Sequence, residues 1–452
     1  MRQIPSPVHV LEGARKYVLE LTPQHALILS FLMLSLVGTL LLKLPIASHQ
    51  PTSWSQALFT AVSAATVTGM AVLDIGSHFT LFGHWVLLFL VQAGGLGLMT
   101  FGLLIIQLVN GRLGLGQRAV LREVVNQTGQ GDVRRLLLWL FAFTAVMELA
   151  GTFLLALQWI PERGFSRGLF YSFFHAVSAF NNAGISLSAS SLSDHVGNPL
   201  INIVIPVLFI TGGIGFVVII DMLGKKRFQD YALHTKLMLI GTLVLNVVAP
   251  LIVFALEYGN DGTLGKLDFA DKLWAAWFQG VVTRTAGFNT VDIAALLPAT
   301  SFFMMGMMFI GAGSGSTASG IKLSTFIVLL LATRTFLLQQ IKPVIFGRSI
   351  GADVVFRALA ITVIALFCVI TGTFLLTVTE SAPFLDLAFE AVAAFSTAGL
   401  SRGVTADLSQ AGQIIVLALM LIGRVGPLTL AFTLATARGA RIQYPEGQIN
   451  VG

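Results

Sequence analysis

Four short segments of the chain each end in a glycine that follows a phenylalanine at a nearly constant distance. They read FTAVSAATVTG from Phe59, FHAVSAFNNAG from Phe174, FQGVVTRTAG from Phe278 and FEAVAAFSTAG from Phe389. The glycine comes ten residues after the phenylalanine, or nine in the third copy, and successive glycines are spaced by 115, 103 and 112 residues. Such internal repetition indicates four copies of one structural unit.

The residues before each glycine offer backbone carbonyl groups rather than reactive side chains. Glycine readily takes a positive φ, which lets consecutive carbonyls face one side of a loop. A ring of carbonyl oxygens can replace the hydration shell of a dehydrated monovalent cation. The composition favours such a cation over a divalent one, because no carboxylate occurs in the four loops, which are Thr66–Gly69, Asn181–Gly184, Arg284–Gly287 and Ser396–Gly399.

We predict that three consecutive residues of each loop form a selectivity filter through their backbone carbonyls. The filter residues are Val67, Thr68, Gly69, Asn182, Ala183, Gly184, Thr285, Ala286, Gly287, Thr397, Ala398 and Gly399.

Long apolar stretches lie between the four segments and indicate a membrane protein. Of the 452 residues, 55% are hydrophobic and 11% charged, and the mean hydropathy is +0.85. A soluble domain carries about 25% charged residues. A helix needs roughly 20 apolar residues to cross a bilayer, and the long stretches are Ala26–Leu42, Trp85–Leu108, Leu136–Leu157, Ile201–Ile220, Leu237–Phe254, Val354–Leu376 and Ile414–Thr433.

Each repeated segment is too short to cross the membrane and is predicted to be a re-entrant half-helix that turns back at its glycine. The predicted fold is an all-α integral membrane protein with four tandem helix–pore loop–helix repeats, eight spans and pseudo-fourfold symmetry like a potassium channel. The predicted parts are a cytoplasmic segment 1–24, repeats 25–110, 111–222, 223–340 and 341–437, and a cytoplasmic tail 438–452.

The distribution of charge predicts that both termini are cytoplasmic. With eight spans, 18 of the 27 lysines and arginines fall on the inner side, together with 8 of the 21 acidic residues. This asymmetry follows the positive-inside rule. It accounts for the basic isoelectric point near 9.6, so no nucleic-acid partner is predicted.

A run of ten small residues after the third loop is a candidate gate. It reads GAGSGSTASG over Gly311–Gly320 and contains four glycines. Each glycine inside a helix costs about 1 kcal/mol relative to alanine, so the sequence disfavours a straight helix here. We predict a movable loop below the filter, with close helix packing as the alternative; its candidate gate residues are Gly311, Gly313, Gly315, Ser316, Thr317 and Gly320.

Arg424 is the second gate candidate, because it lies within the last apolar stretch. An arginine at the centre of a bilayer costs at least about 2.5 kcal/mol, so it usually faces a cavity or a partner. We hypothesise that it projects into the pore and contacts Gly311–Gly320. The alternative is a structural ion pair with Glu148.

The four loops, the third reading TRTAGFNT from Thr283, and the glycine-serine run resemble the Ktr/Trk/HKT superfamily of potassium transporters over essentially the whole chain. The eight predicted spans, without an extra N-terminal helix pair, are similar to the KtrB branch rather than to the longer TrkH branch. The resemblance implies one filter glycine per repeat, at Gly69, Gly184, Gly287 and Gly399, and a gating role for Gly311–Gly320.

The resemblance also implies partners, location and a transported ion. It implies a homodimer with one pore per subunit in the bacterial inner membrane, joined to a cytosolic KtrA-like ring that carries the nucleotide, ATP or ADP. It implies potassium uptake, often stimulated by sodium as in a symport, with no cofactor in this chain.

Three other functions are alternatives to potassium uptake. A less selective cation channel fits the four loops because they differ in sequence, unlike the identical copies of true potassium channels. An alternating-access carrier is disfavoured because such carriers often have inverted repeats, whereas these four share one orientation. A membrane enzyme is disfavoured because no catalytic motif occurs at a suggestive spacing, so the chain is predicted not to be an enzyme.

Overall fold

The computed structural model describes residues 23–97 and 133–426, and its elements are almost all helices. Most of the predicted cytoplasmic segment 1–24, the whole tail 438–452 and the boundary at 110 and 111 lie outside these residues. The long helices 1 to 4 are Pro23–Leu42, Val133–Arg163, Leu233–Glu257 and Ala352–Thr379. The short helices 1 to 4, each ending at a glycine loop, are Trp54–Ala65, Phe165–Phe180, Phe269–Val282 and Phe384–Ser396.

After each loop the chain returns in one or two further helices. The returning helices 1 to 4 are Leu81–Gly95, Pro199–Ile214 with Phe216–Gly224, Pro298–Phe309 with Leu323–Leu337, and Gln410–Val425. The remaining elements are a one-turn helix at Ile75–His78, 3₁₀ turns at Pro45–Ala47, Ser193–His195, Phe228–Asp230 and Thr405–Asp407, and a hairpin of Val344–Ile345 with Arg348–Ser349.

Three described helices are long and apolar enough to span a membrane: Leu138–Arg163, Leu233–Glu257 and Ala352–Thr379. A fourth span is possible if the two pieces of returning helix 2, which meet at 91°, are counted together. Shorter apolar helices accompany them, at Leu27–Leu42, Leu81–Gly95, Leu323–Leu337 and Gln410–Val425. The count of eight spans therefore stays a prediction.

The predicted apolar span Ile201–Ile220 is not one straight helix. It breaks at Gly215, whose φ is +104°, a conformation that side chains disfavour. Backbone bonds from the glycine-serine run hold the break open, because the amide of Phe216 donates to the Gly315 carbonyl at 3.1 Å. The break comes from this tertiary contact, which the apolar pattern does not encode.

The signature phenylalanines anchor the short helices in the core. Phe59, Phe174, Phe278 and Phe389 are all at most 1% exposed. Full burial of such a side chain contributes roughly 2–3 kcal/mol each. Because each phenylalanine is held in the core, it also sets the position of the loop glycine that comes nine or ten residues later.

The packing of the helices follows the order of the repeats and closes on itself. Each of returning helices 1, 2 and 3 packs against the short helix of the next repeat. Returning helix 4 packs against short helix 1. The loops at the ends of the short helices are therefore brought together at the centre of the molecule.

Glycines let the returning helices approach the short helices closely. A Cβ at Gly94, Gly212 or Gly423 would overlap the carbonyl oxygen of the residue just before a glycine loop, which is Ala65, Phe180 or Phe395 respectively. In the third repeat the corresponding Gly311 instead meets the Ser319 carbonyl within the glycine-serine run. Small residues at such crossings permit close backbone contact.

Candidate functional site

The four glycine loops share an unusual backbone conformation. The residue two before each glycine has a positive φ: Val67 at 57°, Asn182 at 58°, Thr285 at 65° and Thr397 at 51°. The glycines follow at 88°, 63°, 75° and 72°. The residue between them does not have a positive φ. Left-handed and other backbone conformations therefore alternate in the same order in all four loops.

Three of the four left-handed non-glycine residues, Val67, Thr285 and Thr397, are β-branched, and such residues are real outliers at positive φ. Each strained residue costs of the order of 1–3 kcal/mol and persists only where its surroundings hold it. All four left-handed non-glycine residues are buried, with Val67, Asn182 and Thr397 at 1% exposure and Thr285 at 0%. Strain repeated at one position in four copies marks a functional site rather than an accident of packing.

A matching hydrogen bond closes each short helix before its loop. The amides of Thr68, Ala183 and Ala398 each donate at 2.8 Å to the carbonyl five residues earlier. In the third copy the amide of Ala286 instead donates over four residues, to Val282 at 3.2 Å. This tighter closure explains why the glycine of the third copy comes nine positions after the phenylalanine instead of ten, while the loop keeps the common conformation.

The loops contact one another in a closed ring. A Cβ at Gly69 would overlap the Ala183 carbonyl oxygen, and one at Gly184 would lie 2.7 Å from the Ala286 oxygen. A Cβ at Gly287 would lie 3.3 Å from the Ala398 oxygen.

The last contact joins the fourth loop to the first. A Cβ at Gly399 would overlap the Thr68 carbonyl oxygen. Each glycine therefore faces a carbonyl of a neighbouring loop, and these contacts link the four loops in a closed order.

An open cavity of about 450 Å³ lies against this ring. All four loop glycines line it, together with the residues that follow them in the chain. The carboxyl-bearing residues Asp74 and Asp292 are also part of its wall. The ring thus has an open mouth whose wall includes acidic residues.

A polar residue follows each signature phenylalanine and braces the outgoing chain in three of the four copies. His175 Nε2 lies 3.1 Å from Ser186 Oγ, and Gln279 Oε1 accepts from the Thr290 amide at 3.4 Å. Glu390 accepts from the hydroxyl groups of Ser401 and Thr405. His175 is thus a hydrogen-bonded structural residue.

The glycine-serine run lies on the side of the ring opposite the mouth cavity and is not helical. It connects Pro298–Phe309 to Leu323–Leu337 as an irregular segment whose ends are joined, since Gly311 N donates to Ile321 O at 2.9 Å. The amide of Gly313 donates to the Gly213 carbonyl at 2.8 Å. Lys322 folds back so that its Nζ donates to Ala318 O at 2.6 Å.

Thr317 connects this segment directly to the second loop. Its Oγ1 donates to Asn182 Oδ1 at 2.8 Å, and both side chains are buried. Asn182 is one of the left-handed residues of the ring. The sequence predicted Asn182 in the filter and Thr317 in the gate, and no feature of it indicated that the two side chains touch.

Arg424 contacts the same segment from the other side. Its guanidinium donates to the Thr317 carbonyl and, at 3.4 Å, to Ser319 Oγ. It also donates to the carbonyls of Gly94 and, at 3.1 Å, Gly95. Within the described ranges no ion pair joins Arg424 to Glu148.

Arg424 also lines a small cavity of about 150 Å³ below the ring. Phe31, Ser316, Ala318 and Lys322 are among the other residues in its wall. The positively charged Arg424 therefore lines this cavity next to the glycine-serine run.

A buried polar cluster beside the second loop was not predicted. Asn181 Nδ2 donates to Gln92 Oε1 at 2.8 Å and to Glu148 Oε1 at 3.0 Å. Glu148 is 7% exposed. An acidic residue within an apolar stretch was the only available sequence signal, and Glu148 was named only as the alternative ion-pair partner of Arg424.

The comparisons with known proteins identify the family of the chain. The pattern of the TrkH family, described as a cation transport protein, matches residues 21–440. The chain belongs to this family. Among relatives, it is 49% identical to Ktr system potassium uptake protein B of Bacillus subtilis, over 95% of this chain and 97% of that protein.

Two further relatives and one solved structure extend the comparison. The chain is 43% identical to Ktr system potassium uptake protein B of Vibrio alginolyticus, over 94% of each chain. It is 35% identical to potassium/sodium uptake protein NtpJ of Enterococcus hirae, over 96% of this chain and 98% of that one. The crystal structure of the potassium transporter TrkH from Vibrio parahaemolyticus matches the fold with a TM-score of 0.72, 18% identity, and coverage of 92% and 86%.

Proposed function

We propose that this TrkH-family protein carries potassium into the cell across the bacterial inner membrane, through the ring of glycine-loop carbonyls. The observation that carries this proposal is the closed order of contacts in which each loop glycine faces a carbonyl of a neighbouring loop. Carbonyl rings of this kind can replace the water around a dehydrated potassium ion. The names of the three relatives, each a potassium or potassium/sodium uptake protein, support the choice of ion.

The architecture proposed here is four helix–pore loop–helix repeats around a pseudo-fourfold axis, with eight spans and both termini in the cytoplasm. The order of packing between repeats supports it, since returning helix 4 meets short helix 1. The short helices end at the loops, so the partial negative charge of their C-terminal ends favours a cation there. The membrane potential supplies about 2.3 kcal/mol per charge per 100 mV, which drives uptake without ATP hydrolysis in this chain.

The glycine-serine run and Arg424 form the proposed gate. The run closes the space below the ring, and Arg424 holds it there by bonds to Thr317 and Ser319. The arginine also places a positive charge in the path of a cation. Opening requires the run to move aside, and its glycines lower the cost of that movement.

The proposed assembly is a homodimer with a cytosolic KtrA-like ring that binds ATP or ADP. The word system in the names of two relatives supports a partner subunit. Sodium stimulation is proposed with support from the potassium/sodium name of the Enterococcus hirae relative. The difference among the four loop sequences favours a second candidate, a monovalent cation channel with weaker preference for potassium.

The function is tested by uptake in a bacterium that lacks its own potassium transporters. We expect the chain, expressed with a Ktr regulatory subunit, to restore growth at low potassium and to take up potassium in preference to sodium. Flux that depends on the membrane potential and does not saturate at low ion concentration supports a pore. Strict exchange or slow saturating transport in reconstituted vesicles would instead favour a carrier, and absence of any cation flux would refute the proposal.

The Thr317–Asn182 hydrogen bond is expected to stabilise the closed gate. Thr317→Val keeps the shape but leaves the buried Asn182 oxygen without this donor, a loss of about 1–3 kcal/mol. We expect potassium flux without the regulatory subunit to rise by between about fivefold and about 150-fold in reconstituted vesicles, since 1.4 kcal/mol is a factor of ten.

The matched control for this change is Thr317→Ser, which retains the hydroxyl group and should keep wild-type flux. Equal flux from Thr317→Val, Thr317→Ser and wild type would show that the bond does not contribute to closure.

A further inference from the structure

A second large cavity lies away from the ring, between the first and second repeats. It has a volume of about 900 Å³ and is open on one side. Its walls come from the start of returning helix 1, the end of long helix 2 and the start of short helix 2. We call it the interface cavity, and it plays no part in the proposed path of potassium.

The interface cavity is on the same side of the membrane as the mouth of the ring. Gly76 and Leu187 belong to its wall, and they lie in the chain segments that leave the first and second loops. Their neighbours Ile75 and Ser188 line the mouth cavity. With the topology proposed above, this is the outer leaflet.

Two arginines stand in the interface cavity without a carboxylate partner. Arg163 and Arg167 are both exposed and line it. Within the described part of the chain neither forms an ion pair with an acidic side chain. The one acidic residue in the wall, Glu162, accepts a hydrogen bond from Gln158 Nε2 at 2.5 Å.

The position of Arg163 is fixed by an aromatic ring. Its guanidinium carbon lies 3.9 Å from the centre of the Tyr171 ring, within the range of a cation–π contact. Such stacking uses one face of the guanidinium and leaves its edge free to donate. A planar guanidinium edge matches the geometry of a phosphate group.

Apolar side chains continue from the cavity onto the surface. Trp85 lies against Phe170 at 5.5 Å and Phe173 at 5.9 Å between ring centres, yet is 49% exposed. Leu81 in its wall is 59% exposed, and Phe165, which precedes the wall residue Ser166 in the chain, is 71% exposed. Tryptophan with neighbouring arginine is typical of the boundary between lipid headgroups and acyl chains.

We propose that the interface cavity binds the headgroup of an anionic phospholipid of the outer leaflet. Arg163 and Arg167 hold the phosphate, while the acyl chains follow the exposed surface of Trp85, Leu81 and Phe165. Charge complementarity identifies the class of lipid, because the two unpaired cations favour a headgroup with net negative charge over a zwitterionic one. The continuous apolar edge favours a lipid over a free anion.

A lipid in the interface cavity also contacts the chain segments that leave the first and second glycine loops. The wall residues Gly76 and Leu187 touch, since a Cβ at Gly76 would overlap the Leu187 carbonyl oxygen. They connect the outgoing chains of the first and second loops. A lipid seated against this contact therefore supports the spacing of two of the four ring segments.

Native mass spectrometry of the purified full chain tests the proposal without any transport measurement. The protein is exposed to phosphatidylglycerol or to phosphatidylcholine with the same acyl chains. We expect phosphatidylglycerol to be retained roughly tenfold better by the wild type, and this preference to disappear in Arg163→Gln/Arg167→Gln.

Two control variants separate the proposed contacts from general charge. Arg163→Lys/Arg167→Lys should keep part of the preference. Lys266→Gln, which removes an exposed cation outside the cavity, should keep all of it. Equal retention of the two lipids by the wild type, or full preference in the double glutamine variant, would overturn the proposal.

A competition arm distinguishes a lipid from free phosphate. Inorganic phosphate at millimolar concentration is expected to leave bound phosphatidylglycerol in place. Displacement of the lipid by phosphate would identify a soluble anion as the occupant and contradict the assignment. Because every readout is lipid binding, the outcome is independent of whether the chain conducts potassium.

Discussion

Gly69→Ser is expected to lower the preference for potassium over sodium by at least about tenfold and to weaken potassium uptake at low concentration. The φ of Gly69 is +88°, and any Cβ there would overlap the Ala183 carbonyl oxygen. The backbone of one loop or the other must therefore move. A shift of one carbonyl that weakens ion coordination by about 1.4 kcal/mol is already a tenfold effect.

The measurement is competitive uptake of potassium and sodium in a transport-deficient bacterium. Two other glycines provide matched controls: Gly306 in returning helix 3 and Gly347 in the hairpin, where a Cβ would meet nothing within 4 Å. Gly306→Ser adds the same atoms without a clash, and Gly347→Ser adds backbone strain at a φ of +71° far from the ring.

Both control variants should transport as the wild type does. Unchanged selectivity in Gly69→Ser would mean that the glycine loops are scaffold, and the carrier hypothesis would then be preferred.

Arg424→Gln is expected to raise potassium flux in the absence of the regulatory subunit. A unit charge at about 8 Å from a permeating cation contributes about 2 kcal/mol at an effective dielectric constant of 20. That corresponds to a change of roughly thirtyfold in rate. The substitution also removes donors that hold the glycine-serine run at Thr317 and Ser319.

Flux into vesicles reconstituted with the purified chain measures this effect. Arg424→Lys retains the charge and separates the electrostatic part from the geometry of the guanidinium. Arg334→Gln is the control for loss of a cation elsewhere, because Arg334 is exposed in the last turn of its helix. Unchanged flux and intact regulation in Arg424→Gln would leave Arg424 with a purely structural role.

The repeats were predictable from sequence because each one contains a large apolar residue and a glycine at a fixed distance. Phe59 and its three counterparts must be buried, and Gly69 and its counterparts must take a positive φ. Both requirements depend on the residue type itself. The glycine-serine run was predictable for the same reason, since four glycines among ten residues strongly disfavour a helix.

The contacts between repeats could not be read from the sequence. The bend at Gly215 depends on a hydrogen bond that the Phe216 amide donates to the carbonyl of Gly315, about a hundred residues further along the chain. The pairing of Thr317 with Asn182 likewise joins two loops whose order in space is set by packing. Side chains such as Glu148 have several polar residues within reach, and only the fold decides that Asn181 is its donor.

The closed ring of loops has a consequence for how this molecule can diverge. All four loops belong to one polypeptide, so a single codon changes one position of the ring and leaves three intact. An assembly of four identical subunits would receive the same change four times at once. Mutation can therefore tune this ring one quarter at a time, and the loops have room to become as different as TVTG, NNAG, RTAG and STAG.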